Sequence, residues 1–222
     1  MGLLLFKAMH DKTLSRVVEL SVFGLLAIVI TVWGSELDWR LGRVDRLALF
    51  PLLGMIAFAT MWWHFLVGFV RRLKPDHQEL GRLHLISAYW VFAAFALHPV
   101  LLVSWGQDND YQLLSLELLR DYAGPDSMGF ITLGLLSLTA FIAFDIARVI
   151  SRWTSVKRIW PFIDAASDVA FIGIWLHSLG LGRHVQEGWF RVFWILLGLS
   201  GIGFIIYKRF HLSRHGQPVK PA

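Results

Sequence analysis

The residues of this 222-residue chain that could do chemistry are a few ionisable side chains inside long apolar stretches. Ionisable residues are costly within a membrane, so they mark candidate functional sites there. An imidazole in lipid either hydrogen-bonds as a neutral ring to a neighbouring helix or serves as an axial ligand to a buried metal or haem iron. The set comprises His64, His84, His98, Asp145, Asp164, Asp168 and His177.

The spacing of three of these histidines favours ligation. His84 and His98 are 14 residues apart, which in a helix is ~21 Å and close to four turns, so both rings leave nearly the same face. His177 lies near the outer end of its own stretch, at the depth expected for His98. Two imidazoles facing each other across a bundle suit a haem b. The residue 13 positions before His177, which would oppose His84, is Asp164, so a second bis-His site is interrupted.

The composition is that of an integral membrane protein. Hydrophobic residues make up 56% of the chain and charged residues 17%, and the mean hydropathy of +0.57 argues against a soluble domain. The lack of cysteine excludes disulfides, thiolate metal sites, iron–sulfur clusters and cysteine nucleophiles. The net charge of +5 is dispersed between apolar stretches, which indicates membrane topology and no nucleic-acid partner.

Six apolar stretches are long enough to cross a hydrocarbon core, which takes about 20 helical residues. We predict an all-α integral membrane protein, a haem-binding bundle of six transmembrane helices. A cytoplasmic N-terminal lead covers 1–16, the six-helix domain covers 17–207, and a basic cytoplasmic tail covers 208–222, with no internal repeat. The predicted spans are 17–35, 46–70, 82–105, 128–150, 160–181 and 190–207.

The positive charges indicate how these spans are oriented. Fifteen of the 21 Lys and Arg residues fall on the side that holds both termini. By the positive-inside rule that side is the cytoplasm. We therefore expect a multi-pass protein of the cell's inner (plasma) membrane, in contact with its lipids and with both termini in the cytoplasm. The longest outer connection, 106–127, intersperses acidic residues with leucines, which predicts a short helix on the outer membrane surface.

Three segments carry a resemblance to a known family. The segment 80–99 reads LGRLHLISAYWVFAAFALHP, 160–177 opens with WPFID and closes with LH, and 41–49 reads LGRVDRLAL. They resemble the third helix, the fifth helix and the entry to the second helix of the ferric-reductase-like transmembrane domain. This six-helix haem module is shared by ferric reductases, NADPH oxidases, STEAP metalloreductases and the haem subunit of bacterial periplasmic methionine sulfoxide reductase systems. The resemblance covers 17–207, and its specific part is the histidine spacing.

The resemblance implies that His98 and His177 ligate an outer haem b and that electrons pass from a cytoplasmic flavin to an outer acceptor. Asp164 stands at a ligand position of the family's inner haem, so that haem is absent or differently ligated; STEAP proteins, with a flavin ring in the inner space, resemble this arrangement. No G-x-G-x-x-G-like run follows a strand, so electrons come from a separate reductase, another redox-protein subunit or quinol. Arg183 would pair with haem propionates or be an ordinary interfacial residue.

A second polar group in the inner half of the bundle has three interpretations. His84 and an aspartate could accept a proton beside a quinone or flavin, or His64 and His84 could share an inner haem. Alternatively, Asp164 is a carboxylate favoured in a first helical turn by the helix dipole. The first interpretation is preferred to the shared haem because spans two and three are sequential neighbours, too close to face each other across a macrocycle. The group comprises His64, His84, Asp164 and Asp168.

Three functions are compatible with the sequence. The first is a membrane cytochrome b, the electron-transfer subunit of a multi-component oxidoreductase. The second is a non-catalytic subunit in which a degenerate haem module acts as a scaffold in a larger membrane complex. The third is a small transporter with His64, Asp145 and Asp168 along a proton path, which the lack of broken helices or an inverted repeat disfavours.

Overall fold

The fold is given by a computed structural model, which describes residues 2–40, 42, 44–75, 78–109, 111–112, 115–150 and 160–215. Across these ranges the chain forms α-helices and short 3-10 turns, with no β-strand. The 3-10 turns are Pro125–Ser127 and Arg183–Val185. The helices are α1 (Gly2–Glu36), α2 (Arg46–Leu73), α3 (Gln78–Asp108), α4 (Leu116–Ala123), α5 (Met128–Ile150), α6 (Trp160–Leu181) and α7 (Gly188–His215).

Six of these helices, all except the short α4, are long and apolar enough to cross a membrane. The predicted all-α architecture with six spans is confirmed. Helix α1 begins at Gly2 and α7 continues to His215, so helical structure extends into the segments predicted to be the N-terminal lead and the basic tail. The end of the predicted tail, 216–222, lies outside the described residues.

The chain divides into two compact units, Met1–Leu102 and Val103–Ala222. In the first unit, indole groups join α1 to α2. Trp63 Nε1 donates to the Val18 carbonyl oxygen at 2.8 Å, and Trp33 Nε1 donates to the Ala48 carbonyl oxygen at 2.7 Å. Each bond gives an indole N–H a partner that hydrocarbon could not supply.

Helix α2, which carries one of the predicted site residues, has a defined start. Asp45 is its N-cap, and Asp45 Oδ1 accepts a hydrogen bond from the Ala48 amide at 2.7 Å. A capping carboxylate satisfies an amide left free at the helix start and suits the helix dipole. The register of α2 is thereby fixed at Asp45, five residues before Phe50, whose carbonyl oxygen is part of the site.

In the second unit, α6 and α7 interlock through two tryptophans. Trp175 Nε1 donates to the Trp194 carbonyl oxygen at 3.2 Å, and Trp194 Nε1 donates to Ser178 Oγ at 2.8 Å. A Cβ atom added to Gly198 would lie only 2.0 Å from the Trp175 ring. Gly198 therefore lets the two helices pack closely, as small residues do where membrane helices cross.

The short helix predicted in the outer connection is present as α4. Ser115 caps it, with its hydroxyl accepting from the Leu118 amide at 3.1 Å, and Leu118 packs against Gly106. Tyr111 donates to Asp121 at 2.7 Å, which ties the start of the connection to the helix. Three residues of the predicted pattern, Asp110, Leu113 and Leu114, lie outside the described residues.

The distribution of positive charges leads to a prediction about orientation. Reporter fusions at the C-terminus and after Asn109 should report opposite sides of the membrane, with green fluorescent protein fluorescent at the first position and alkaline phosphatase active at the second. The opposite pattern would contradict the prediction. The connection predicted to be cytoplasmic, which supplies Arg152, Lys157 and Arg158 to the charge count, lies outside the described residues. The fusions test the orientation without reference to it.

Candidate functional site

The imidazole ring of His98, on α3, contacts the backbone of α2. Its Nδ1 is 3.0 Å from the Phe50 carbonyl oxygen, and its ring stacks on the Phe50 ring with centroids 4.1 Å apart and 17° between the planes. A carbonyl oxygen only accepts hydrogen bonds, so Nδ1 carries the proton and, in the neutral ring, Nε2 carries the lone pair. Nε2 is therefore the atom through which His98 can bind a metal.

His177 of α6 has the same arrangement on α5, in the second unit. Its Nδ1 is 2.8 Å from the Phe130 carbonyl oxygen, so Nε2 again carries the lone pair of the neutral ring. Metal-binding histidines almost always donate their other ring nitrogen to a carbonyl, carboxylate or water, which fixes the tautomer and strengthens the ligand atom. Both histidines predicted to ligate haem thus have the tautomer that ligation requires.

A glycine lies beside each of these rings, four residues after the carbonyl that accepts the hydrogen bond. A Cβ atom on Gly54 would lie 2.8 Å from His98 Cε1, and one on Gly134 would lie 2.3 Å from His177 Nδ1. The sequence analysis above did not include either glycine among the site residues. The signal that could have found them is a Phe-x-x-x-Gly pattern at 50–54 and 130–134.

His64 and His84 form a stacked pair within the first unit. Their ring centroids are 4.0 Å apart with 14° between the planes. The Ser87 hydroxyl donates to the His84 carbonyl oxygen at 2.8 Å and lies 2.7 Å from His64 Nδ1. Because its one proton is used on that carbonyl, the hydroxyl accepts from His64 Nδ1–H. Ser87, which is fully buried, is a site residue that the sequence analysis missed; its signal is a small hydroxyl three residues after His84.

The stacking decides between two of the interpretations of the inner site. Rings 4.0 Å apart leave no space for a macrocycle between them, so His64 and His84 do not face each other across a shared haem. Two protonated rings at that distance would repel by about 4 kcal/mol at an effective dielectric constant near 20. The stacked geometry therefore disfavours protonation of both rings at once.

Asp164 and Asp168 of α6 are engaged by two cations of α7. Lys208 Nζ lies 2.9 Å from Asp164 Oδ1 and 2.6 Å from Asp168 Oδ1. Arg209 donates through Nε to Asp168 Oδ2 at 2.7 Å and has its Nη2 2.9 Å from Asp164 Oδ2. Lys208 and both aspartates are buried, so the four charges balance within the protein.

This network gives the two aspartates a structural role, helix pairing, in addition to the roles predicted for them. Buried carboxylates are tolerated when paired and hydrogen-bonded. The predicted meeting of these aspartates with His64 and His84 stays a prediction, since the aspartates lie in the second unit and the histidines in the first. Lys208 was assigned to the basic tail; the signal for its inclusion is its place directly after the apolar run of α7.

Arg183 is in the 3-10 turn that follows α6, six residues after His177, and is exposed. Burial raises the pKa of Tyr122 on α4, and the positive charge of Arg183 acts in the opposite direction on that pKa. The guanidinium therefore lies close enough to the α4 phenol to influence its ionisation. A role of Arg183 at haem propionates stays a prediction.

In the described part of the chain, no three His, Asp or Glu side chains cluster so as to hold a metal ion. Ligation of a haem iron by His98 and His177 stays a prediction. No protein-family model matches the chain, and no curated protein or solved structure is significantly similar to it.

The ion-pair network leads to a stability prediction. Lys208→Met leaves two buried carboxylates with less compensation, and breaking a buried pair costs about 3 kcal/mol or more. We expect a clear fall in the unfolding midpoint of the purified protein, measured in detergent by heating or by SDS titration. Lys74→Met, which changes an exposed lysine after α2, is the matched control and should have almost no effect. Equal effects of the two substitutions would show that the network contributes nothing.

Proposed function

We propose that this chain is a membrane cytochrome b that carries electrons from a cytoplasmic flavin reductase or quinol to an outer acceptor, and that Nε2 of His98 and of His177 would hold its haem b. The observation that supports this most directly is the tautomer of the two rings. Each donates Nδ1–H to a carbonyl of the neighbouring helix, which leaves Nε2 as the basic atom.

The residues present fit a haem b. The donor set consists of two neutral imidazoles, each held in one tautomer by a backbone carbonyl. A bound haem b would supply a one-electron iron couple, whose potential depends on the axial ligands, their hydrogen bonds and the apolar surroundings. The chain contributes the last two through its helix carbonyls and apolar spans. In this proposal, Arg183 supplies a cation for a haem propionate at the outer end of α6.

We propose a single haem b per chain. A second would need a ligand at Asp164, whose carboxylate pairs with Lys208 and Arg209, and another at His84, whose ring is stacked on His64. In this proposal a quinone or flavin headgroup would lie on the inner side, where the stacked histidines would hold a proton beside it. A separate reductase or redox subunit would supply the electrons.

The proposal predicts the haem content of four proteins purified from the same host. The wild type should contain one haem b per chain with a reduced-minus-oxidised spectrum of a b-type cytochrome. His98→Ala and His177→Ala should each lose most of this haem, because each removes an axial ligand. His84→Ala is the matched control, a histidine on the same helix face as His98, and should retain it. The pyridine haemochrome assay gives the count.

Two results would contradict the proposal. A wild-type protein that folds without haem would favour the scaffold function, in which the histidines are hydrogen-bonded residues only. Two haems per chain, with one lost in His84→Ala, would show that the inner position is also a haem site.

A further inference from the structure

We propose that Gly54 and Gly134 are positioning residues: each lets a histidine ring rest on the neighbouring helix, and so fixes Nδ1 as the protonated nitrogen and Nε2 as the basic one. The statement that this tautomer serves haem ligation rests on the proposed function. The statement that the glycines determine the tautomer rests only on the geometry around them.

The argument begins with the carbonyl that accepts the hydrogen bond. In an α-helix the carbonyl of residue i accepts from the amide of residue i+4, so the Phe50 carbonyl already serves Gly54 and the Phe130 carbonyl already serves Gly134. The imidazole N–H uses the second lone pair of the same oxygen. To reach it, the ring has to approach the helix beside residue i+4. A side chain at i+4 would occupy the space that the ring needs.

The distances show how tight this approach is. A Cβ atom on Gly134 would lie 2.3 Å from His177 Nδ1 and 2.6 Å from its Cε1. On Gly54 it would lie 2.8 Å from His98 Cε1 and 3.2 Å from its Nδ1. These atoms belong to rigid rings close to their own helices, so they cannot move away as the end of a long side chain could. An alanine at either position would displace the ring from the carbonyl.

A third glycine lies beside a histidine ring in the first unit. Gly68 lies four residues after His64, and a Cβ atom on it would lie 3.2 Å from His84 Cε1. The ring of His64 stacks on His84 as that of Phe50 stacks on His98. The two sites are 14 residues apart on both helices, 50 to 64 on α2 and 84 to 98 on α3.

The corresponding inner position of the second unit lacks both partners. Fourteen residues after Gly134 the sequence has Arg148 in place of a glycine, and the predicted histidine position is Asp164. Other span glycines accommodate rings of a different kind: a Cβ atom on Gly201 would meet the ring of Phe171.

The first test reads the tautomer directly. Full-length protein with ¹⁵N-labelled histidine rings is studied by NMR in lipid nanodiscs. Reducing conditions keep any bound low-spin haem diamagnetic. The His98→Ala and His177→Ala variants assign the signals of the two rings. We expect Nδ1–H on both rings in the wild type. Gly134→Ala should remove the hydrogen-bonded Nδ1–H signal of His177 alone, and Gly54→Ala that of His98 alone. Gly129→Ala on α5 and Gly81→Ala on α3, where a methyl group meets open space, should change neither.

A double-mutant cycle covers the case in which a glycine variant does not fold. Gly134→Ala should destabilise the protein when His177 is present and have little effect when His177→Ala has removed the ring. If neither glycine substitution changes the tautomers or the stability, the proposal is overturned even if the protein binds haem. Tautomers that respond as expected in a protein without haem would support the positioning role and contradict the proposed function.

Discussion

Hydrocarbon offers no hydrogen-bond partner, so polar side chains in the six spans depend on partners within the protein. Hydroxyls such as those of Thr60 and Ser167 use carbonyls of their own helix, whereas the larger polar side chains use a neighbouring helix. The backbone provides the partner for His98 and His177, which donate to helix carbonyls. Two cations of α7 provide it for Asp164 and Asp168. The same requirement joins α1 to α2 through indole N–H groups. The position and protonation of the polar residues therefore follow from the way the helices pair.

This requirement produces different chemistry at the two predicted depths. At the outer depth each histidine is fixed in one tautomer by a carbonyl beside a glycine, which leaves a basic nitrogen for a metal. At the predicted inner depth the His64 and His84 rings stack on each other, and the Ser87 hydroxyl links the His64 ring to the His84 carbonyl oxygen. In the second unit, Asp164 at the predicted inner position pairs with Lys208 and Arg209.

The six spans could be predicted from the sequence because a long apolar run in hydrocarbon has no water to bond its backbone N–H and C=O groups. A helix pairs these groups with one another. The sequence also identified the histidines, since ionisable residues stand out in such runs. It did not predict the roles of Gly54, Ser87 or Lys208. A glycine, a serine and a lysine beyond an apolar run are common in membrane helices, and their roles depend on which helix they face. The repeated Phe-x-x-x-Gly pattern was present at 50–54 and 130–134, but it gains meaning only when each pattern is seen beside a histidine 47 or 48 residues later.

The central claim is that His98 and His177 together are the axial ligands of one haem b. Electron paramagnetic resonance of the oxidised, purified protein tests it most directly, because the signal reports the axial ligands of ferric haem and can be integrated against protein concentration. The account predicts one low-spin bis-imidazole signal per chain, absent from both His98→Ala and His177→Ala. A high-spin signal in the wild type, or a low-spin signal that survives either substitution, would contradict it.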